Sequence, residues 1–202
     1  MKYVKTSLLA LFLVLPGTAL AAEFADLVAH CDSCHGPAGA SAHGDVPTIG
    51  GQSSEFISDT MHSFQVWGRP CVKTPYRSGD TSRPKTDMCK IAARLSEEDI
   101  TALSEHYGKQ TFVAADQEFD IAKAEAGAIL HSERCETCHE QGGQLAARGP
   151  RLAGQWVPYM KDTLKYVPTG EHMVPPVMER GIGKFSDQEI DHLMNFYASQ
   201  QD

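Results

Sequence analysis

The side chains best suited to chemistry lie in two five-residue stretches, Cys31-Asp32-Ser33-Cys34-His35 and Cys135-Glu136-Thr137-Cys138-His139. The spacing C-x-x-C-H is that of covalent haem attachment. Two thiols three positions apart add to the two vinyl groups of one porphyrin, and the adjacent histidine is placed to coordinate the iron. Two copies predict two haem c groups, one on Cys31 and Cys34 and one on Cys135 and Cys138, with His35 and His139 as proximal iron ligands. Redox disulfides and zinc sites also use C-x-x-C pairs. Zinc ribbons place the second pair about 15–20 residues after the first, whereas Cys135 follows Cys31 by 104 positions. A thioredoxin-like motif belongs in a βαβ pattern, and neither stretch sits in one. Two haems on a small chain point to electron transfer.

The sixth iron ligand separates a carrier from an enzyme. A methionine thioether is soft, favours ferrous iron and raises the reduction potential. Met88 and Met178 stand at equivalent places in an internal repeat and are the expected distal ligands. Methionine is also a common core filler. Met61 aligns with Leu164 and Met173 has no counterpart, so both read as core or loop, with Met173 in reserve for the second haem. His43, His62 and His172 are unpaired across the repeat and read as surface residues. A His/Met iron has no open position, so no catalytic residue is assigned. The second ring nitrogen of a ligating histidine needs an acceptor. The carbonyls of Pro47 and Pro150 are candidates, although these prolines serve equally well as chain turns.

Cys71 and Cys89 lie in or beside an extra segment of the first half, about 68–87, which also holds Arg69, Lys73, Arg77, Arg83 and Lys85. In an oxidising compartment two spare thiols near one insertion most simply form a disulfide, here one that clamps the loop carrying Met88. A metal site is the alternative, with few ligands for it. The basic segment reads either as a docking patch or as a solvated loop.

The elements that position these residues come from the repeat. Pro47 to Gln52 returns as Pro150 to Gln155, Phe56, Asp59 and Thr60 return as Tyr159, Asp162 and Thr163, and Ile100, Leu103 and Tyr107 return as Ile190, Leu193 and Tyr197. The landmarks are offset by 104, 103 and then 90 positions, which leaves about thirteen extra residues between Pro47 and Met88. Ser96-Glu97-Glu98-Asp99 and Ser186-Asp187-Gln188-Glu189 start the last helices as capping boxes with acids in the first turn. Helices ending near His30 and Arg134 deliver the two motifs, and strand-like alternation is missing. The expected fold is all-α, with a first domain over 22–112, a linker within Gly108 to Gln117 and a second domain over 113–202. The second domain opens on a helix containing Phe119, Ile121, Ile129 and Leu130. Each unit is small enough that much of its apolar interior is expected to be porphyrin.

Residues 1–21 read as a signal peptide: Lys2 and Lys5, an apolar run from Leu8 to Leu15, then Ala19-Leu20-Ala21. That run is too short for a permanent membrane span, and no later stretch is apolar enough for one. The expected location is the periplasm. Removing residues 1–21 leaves 16 basic against 26 acidic side chains and a formal charge of −10. Such a surface argues against nucleic acid and anionic lipid as partners.

With these landmarks in place the chain resembles the two-haem cytochromes of the c4 type, and more closely the cytochrome subunit of flavocytochrome c, the sulfide dehydrogenase. The closest passages are Gln141-Gly142-Gly143 after the second motif, Leu152-Ala153-Gly154-Gln155-Trp156 with Pro158-Tyr159, and the ending Phe196-Tyr197-Ala198-Ser199-Gln200-Gln201, of which the Leu152 to Trp156 stretch and the Tyr197 to Gln201 ending are the more specific. The resemblance implies two cytochrome-c-like domains related by pseudo-twofold symmetry, with their haems close together. It also implies a heterodimer with an FAD-containing subunit that oxidises sulfide and passes electrons to the first haem. A small soluble cytochrome or an oxidase would accept them. The other readings are a free-standing c4-like shuttle and a haem enzyme with one open iron. The cysteine-bracketed insertion departs from the family pattern.

Overall fold

The computed structural model describes residues 17–145 and 149–201, with side chains from residue 23 onward. Most of the expected signal peptide therefore lies outside the described residues, and its last residues fall within the first helix. The helices are α1 (Gly17–His35), α2 (Ser54–Gln65), α3 (Met88–Ala92), α4 (Glu97–Gly108), α5 (Ile121–Arg134), α6 (Glu140–Gly143), α7 (Val157–Leu164), α8 (Pro176–Ile182) and α9 (Asp187–Ser199). A 3₁₀ turn at Pro37–Gly39 matches α6. The single β feature among the described residues is an isolated antiparallel bridge between Thr74 and Thr86. The fold is all-α.

Helix starts follow local chemistry. Ser96 and Ser186 form reciprocal capping boxes with Asp99 and Glu189, each cap contributing about 1 kcal/mol. Asp120 caps α5 and Ser53 caps α2. Helix α7 has no side-chain cap and carries Pro158 as its second residue, whose missing N–H costs nothing in the first turn.

Two apolar cores repeat one pattern. In the first, Ile57, Leu103 and Tyr107 are buried against Leu27, Ile49, Met61 and Leu95. In the second, Met160, Leu193 and Tyr197 take the matching places, with Met194 added, against Leu152, Leu164 and Phe185. The place of Leu27 is taken in the second unit by His131, which is 2% exposed. Helix α5 crosses α9 closely at Gly127, where an added Cβ would lie 2.1 Å from the His192 carbonyl oxygen. Ile121 and Ile129 are exposed, so the buried face of α5 is carried by Ala124, Gly127 and His131.

The units meet in a reciprocal contact. Gln155 Oε1 accepts from the Thr48 N–H at 2.9 Å, and its Nε2 donates to the Thr48 carbonyl at 2.8 Å. Gln52 brackets the backbone of Arg151 in the same way, at 2.8 and 3.2 Å. Gln52 and Gln155 are repeat-equivalent, and so are Thr48 and Arg151, so each unit holds its partner by the same patch. That is what a twofold relation requires. Trp156 Nε1 donates to the Ser41 carbonyl at 2.9 Å. The expected linker is packed rather than loose. Ala115 is 2% exposed and its N–H donates to the Gly154 carbonyl at 2.7 Å. Phe112 fills the space beside Gly51 (φ 76°), where an added Cβ would lie 2.5 Å from the Phe112 nitrogen.

Candidate haem-binding site

The first motif lies inside α1, which runs five residues beyond the expected end near His30 and stops at Gly36 (φ 79°), where a side chain would meet the Ala40 carbonyl. Cys34 and His35 are buried and Cys31 is half-buried. His35 Nδ1 lies 2.9 Å from the Pro47 carbonyl oxygen. A carbonyl only accepts, so Nδ1 carries the proton and Nε2 keeps its lone pair for a metal. Burial lowers the His35 pKa, and the Pro47 carbonyl opposes this. The ring is therefore held neutral, the form that ligates. Burial pushes the Cys31 thiol up to about 11 and also raises Cys34.

The second motif is delivered differently. Helix α5 ends at Arg134, as the spacing predicts, because the His131 carbonyl takes the N–H groups of both Cys135 and Glu136, at 2.8 and 3.0 Å. Cys135 is half-buried, Cys138 is exposed and His139 is buried. The Pro150 carbonyl opposes the burial that lowers the His139 pKa, yet His139 Nδ1 forms no hydrogen bond with a described residue. Gly149 lies against the ring, where an added Cβ would sit 3.1 Å from His139 Cε1.

An acid within each motif anchors it to the last helix of its unit. Tyr107 Oη donates to Asp32 Oδ1 at 2.8 Å. Tyr197, the equivalent residue, instead meets His131 Nδ1 at 2.9 Å, and His131 Nε2 meets Glu136 at 2.8 Å. Glu136 also accepts the N–H groups of Gln141 and Gly142, at 2.7 and 3.1 Å, and these bonds lower its pKa. Sequence reasoning missed His131. The signal available was a histidine at a repeat position that is leucine in the other half.

The methionines separate into two groups. Met61, Met160 and Met194 pack in the apolar cores. Met88 and Met178 are half-buried at the starts of α3 and α8 and join neither core. Met173 is 65% exposed, its N–H donates to the Gly68 carbonyl at 2.8 Å, and its sulfur lies beside Gly68. It serves contact between the units. His172 corrects the surface reading: it is buried at Thr163, with a pKa lowered to about 4 by burial and by Arg69. His62 pairs with Glu97 at 3.0 Å.

Cys71 and Cys89 are joined by a disulfide with a Cα–Cα distance of 5.6 Å. Asp87 lies beside both sulfurs, but paired sulfurs leave no thiolate for a metal. The other four cysteines are free. They stand where attachment needs thiols, and each motif carries a buried histidine, so the residues fit a covalently held haem in each unit.

Residues 122–196 match the family model for the cbb3-type cytochrome c oxidase subunit III. Cytochrome c4 of Azotobacter vinelandii is 29% identical over 176 residues, covering 78% of this chain and 80% of that protein. The structure of reduced cytochrome c4 from Pseudomonas stutzeri superposes with a TM-score of 0.70 at 22% identity, covering 89% of this chain and 98% of that one. The thiosulfate dehydrogenase TsdBA from Marichromatium purpuratum superposes with a TM-score of 0.64 at 25% identity, covering 84% of this chain and 36% of that one. The two helical units thus share the fold of cytochrome c4, and each carries one attachment motif.

Proposed function

We propose that this chain is a periplasmic dihaem electron carrier in which His35 and Met88 close one iron and His139 and Met178 the other. Each haem, when bound, supplies a one-electron iron couple. The chain's own residues do the rest. Cys31, Cys34, Cys135 and Cys138 hold the two groups as thioethers, the Pro47 carbonyl orients His35, and the thioethers of Met88 and Met178 favour the reduced state. A histidine and a methionine holding each iron would leave one-electron transfer as the chemistry that the group supplies. The reading rests above all on the His35 ring, held through Nδ1 at the Pro47 carbonyl with both thiols of its motif free. Among the described residues no helix is long and apolar enough to cross a membrane.

For the electron donor we propose an FAD-containing subunit that oxidises sulfide, with a small soluble cytochrome or an oxidase as acceptor. Sulfide oxidation to zero-valent sulfur releases two electrons, and two one-electron sites take up the pair. The passages that resemble flavocytochrome c and the likeness to a thiosulfate dehydrogenase support a sulfur-oxidising donor. A free-standing shuttle is the second reading, favoured by likeness to cytochrome c4 over 80% of that relative's length.

The purified mature protein is expected to carry the mass of two haems and to show low-spin iron with a thioether-to-iron band. One haem, or high-spin iron in both oxidation states, would end the carrier reading. Copurification with a stoichiometric flavin selects the subunit over the shuttle.

A further inference from the structure

The disulfide-closed insertion is folded onto the first motif. The N–H groups of Arg77 and Ser78 donate to the Ser33 carbonyl at 2.7 and 3.0 Å. The Pro75 carbonyl lies 3.9 Å from Cys34 Sγ. The ring of Tyr76 meets His30 edge-on at 5.7 Å between centroids. Thr74 and Thr86 bridge the segment's two arms, and the Cys71–Cys89 disulfide closes it. Cys34 is consequently 8% exposed, whereas Cys138, without such a cover, is exposed.

This cover has the opposite charge to the molecule. Residues 68–87 hold five basic and two acidic side chains, in a chain of formal charge −8. Arg77 is paired with Asp45, and Arg83 stacks 3.5 Å from the centroid of the Tyr76 ring. Lys73, Lys85 and the nearby Arg94 are exposed and have no ion-pair partner among the described residues. The positive field reaches the motif, since after burial it is Arg83 and Arg94 that lower the His30 pKa. Exposed Val72 and, at the root of the segment, Trp67 add apolar contact area. Arginine and aromatic side chains with apolar area between them are what a protein interface uses.

We propose that the segment Gly68–Asp87 with Arg94 is a cationic docking face for a protein partner whose redox centre is ringed by carboxylates. The inference rests on the electron-carrier reading. A charged face beside a redox centre steers encounter and orients the complex, and salt weakens it. An anionic bilayer is the less favoured occupant, because it would face the acidic remainder of the molecule as well.

The probe is flavodoxin, a small acidic flavoprotein, tested against the haem-loaded protein. Calorimetry at low ionic strength is expected to show binding that weakens as salt rises. The Lys73→Glu, Lys85→Glu, Arg94→Glu variant should weaken it about tenfold or more, and the corresponding glutamine variant should do so by a smaller factor with thermal stability unchanged. Flavodoxin hydroquinone should then reduce the ferric protein more slowly in the variants, each encounter moving one electron as the hydroquinone becomes semiquinone. Free lumiflavin hydroquinone should reduce all forms alike. Equal flavodoxin affinity in wild type and both variants would overturn the docking face while leaving the carrier reading intact. Salt-sensitive binding without reduction by either flavin would keep the face and sink the carrier. Charge-dependent binding to phosphatidylglycerol vesicles, with flavodoxin affinity unaltered, would overturn the protein partner in favour of lipid.

Discussion

Gln155 brackets Thr48 across the unit boundary, accepting from its N–H at 2.9 Å and donating to its carbonyl at 2.8 Å, with both residues almost fully buried. A carboxamide carries an acceptor and a donor side by side, so one side chain satisfies a backbone donor and acceptor together. Gln52 repeats the arrangement on Arg151. The carbonyl bonded to His35 belongs to Pro47, one residue before Thr48, so the contact between units also steadies the residue that orients the first proximal histidine.

Replacing Gln155 with Ala leaves both polar groups of Thr48 buried and unpaired. The expected cost is about 2–4 kcal/mol, the sum of two such desolvation penalties reduced by local relaxation. Denaturant unfolding of the haem-loaded protein should split from one transition into two as the units uncouple. A single transition with an unchanged midpoint would show that the latch contributes nothing.

His131 joins Tyr197 to Glu136, where the first unit needs only the direct bond from Tyr107 to Asp32. Substituting His131→Leu, the residue of the other half, should destabilise the second unit by about 1–3 kcal/mol, because the buried Tyr197 hydroxyl loses its partner. Adding Tyr197→Phe should cost little more, since the pair acts as one unit. Additive losses in a double-mutant cycle would break that link.

Asp191 on α9 accepts from Lys123 of α5 at 2.8 Å and from Lys161 of α7 at 2.8 Å. These hydrogen bonds hold its pKa at about 2, below its ordinary 3.8. A carboxyl with a depressed folded-state pKa contributes stability above its unfolded pKa and loses it as pH falls through the folded value. Asp191→Asn should therefore remove stability that the wild type keeps at neutral pH and loses between about pH 4 and pH 2. Urea midpoints across that window should converge in acid, and added salt should narrow the neutral-pH gap because the group is partly solvated.

Met88→Ala and Met178→Ala are each expected to abolish the thioether-to-iron band of one haem and lower that haem's reduction potential. Met173→Ala should leave both bands in place, since its sulfur lies beside Gly68. Absorption spectra of the three oxidised variants decide the ligand set, and loss of a band in Met173→Ala would reassign the second haem.

Much of this was legible along the chain. C-x-x-C-H spacing is a covalent requirement, so it identifies the four thiols and two histidines without reference to the fold. The repeat offsets identified the paired helices, the capping boxes and the matching cores, because each depends on contacts a few residues apart or on the same residue recurring at the same place. The exit of α1 was not legible. It depends on Gly36 at φ 79°, where the Ala40 carbonyl stands in the place that a side chain would take.

The sequence by itself determined that two similar helical units exist and which thiols and imidazoles in them stand at attachment spacing, because local spacing and residue chemistry carry that information. Only the tertiary structure decided how Gln52 and Gln155 lock the units, that buried His131 replaces an apolar contact, and that the basic insertion lies over the first motif. Those outcomes turn on which buried polar groups find partners across as many as 107 positions of chain. No periodicity encodes such pairings, and the free energy of leaving one unmade enforces them.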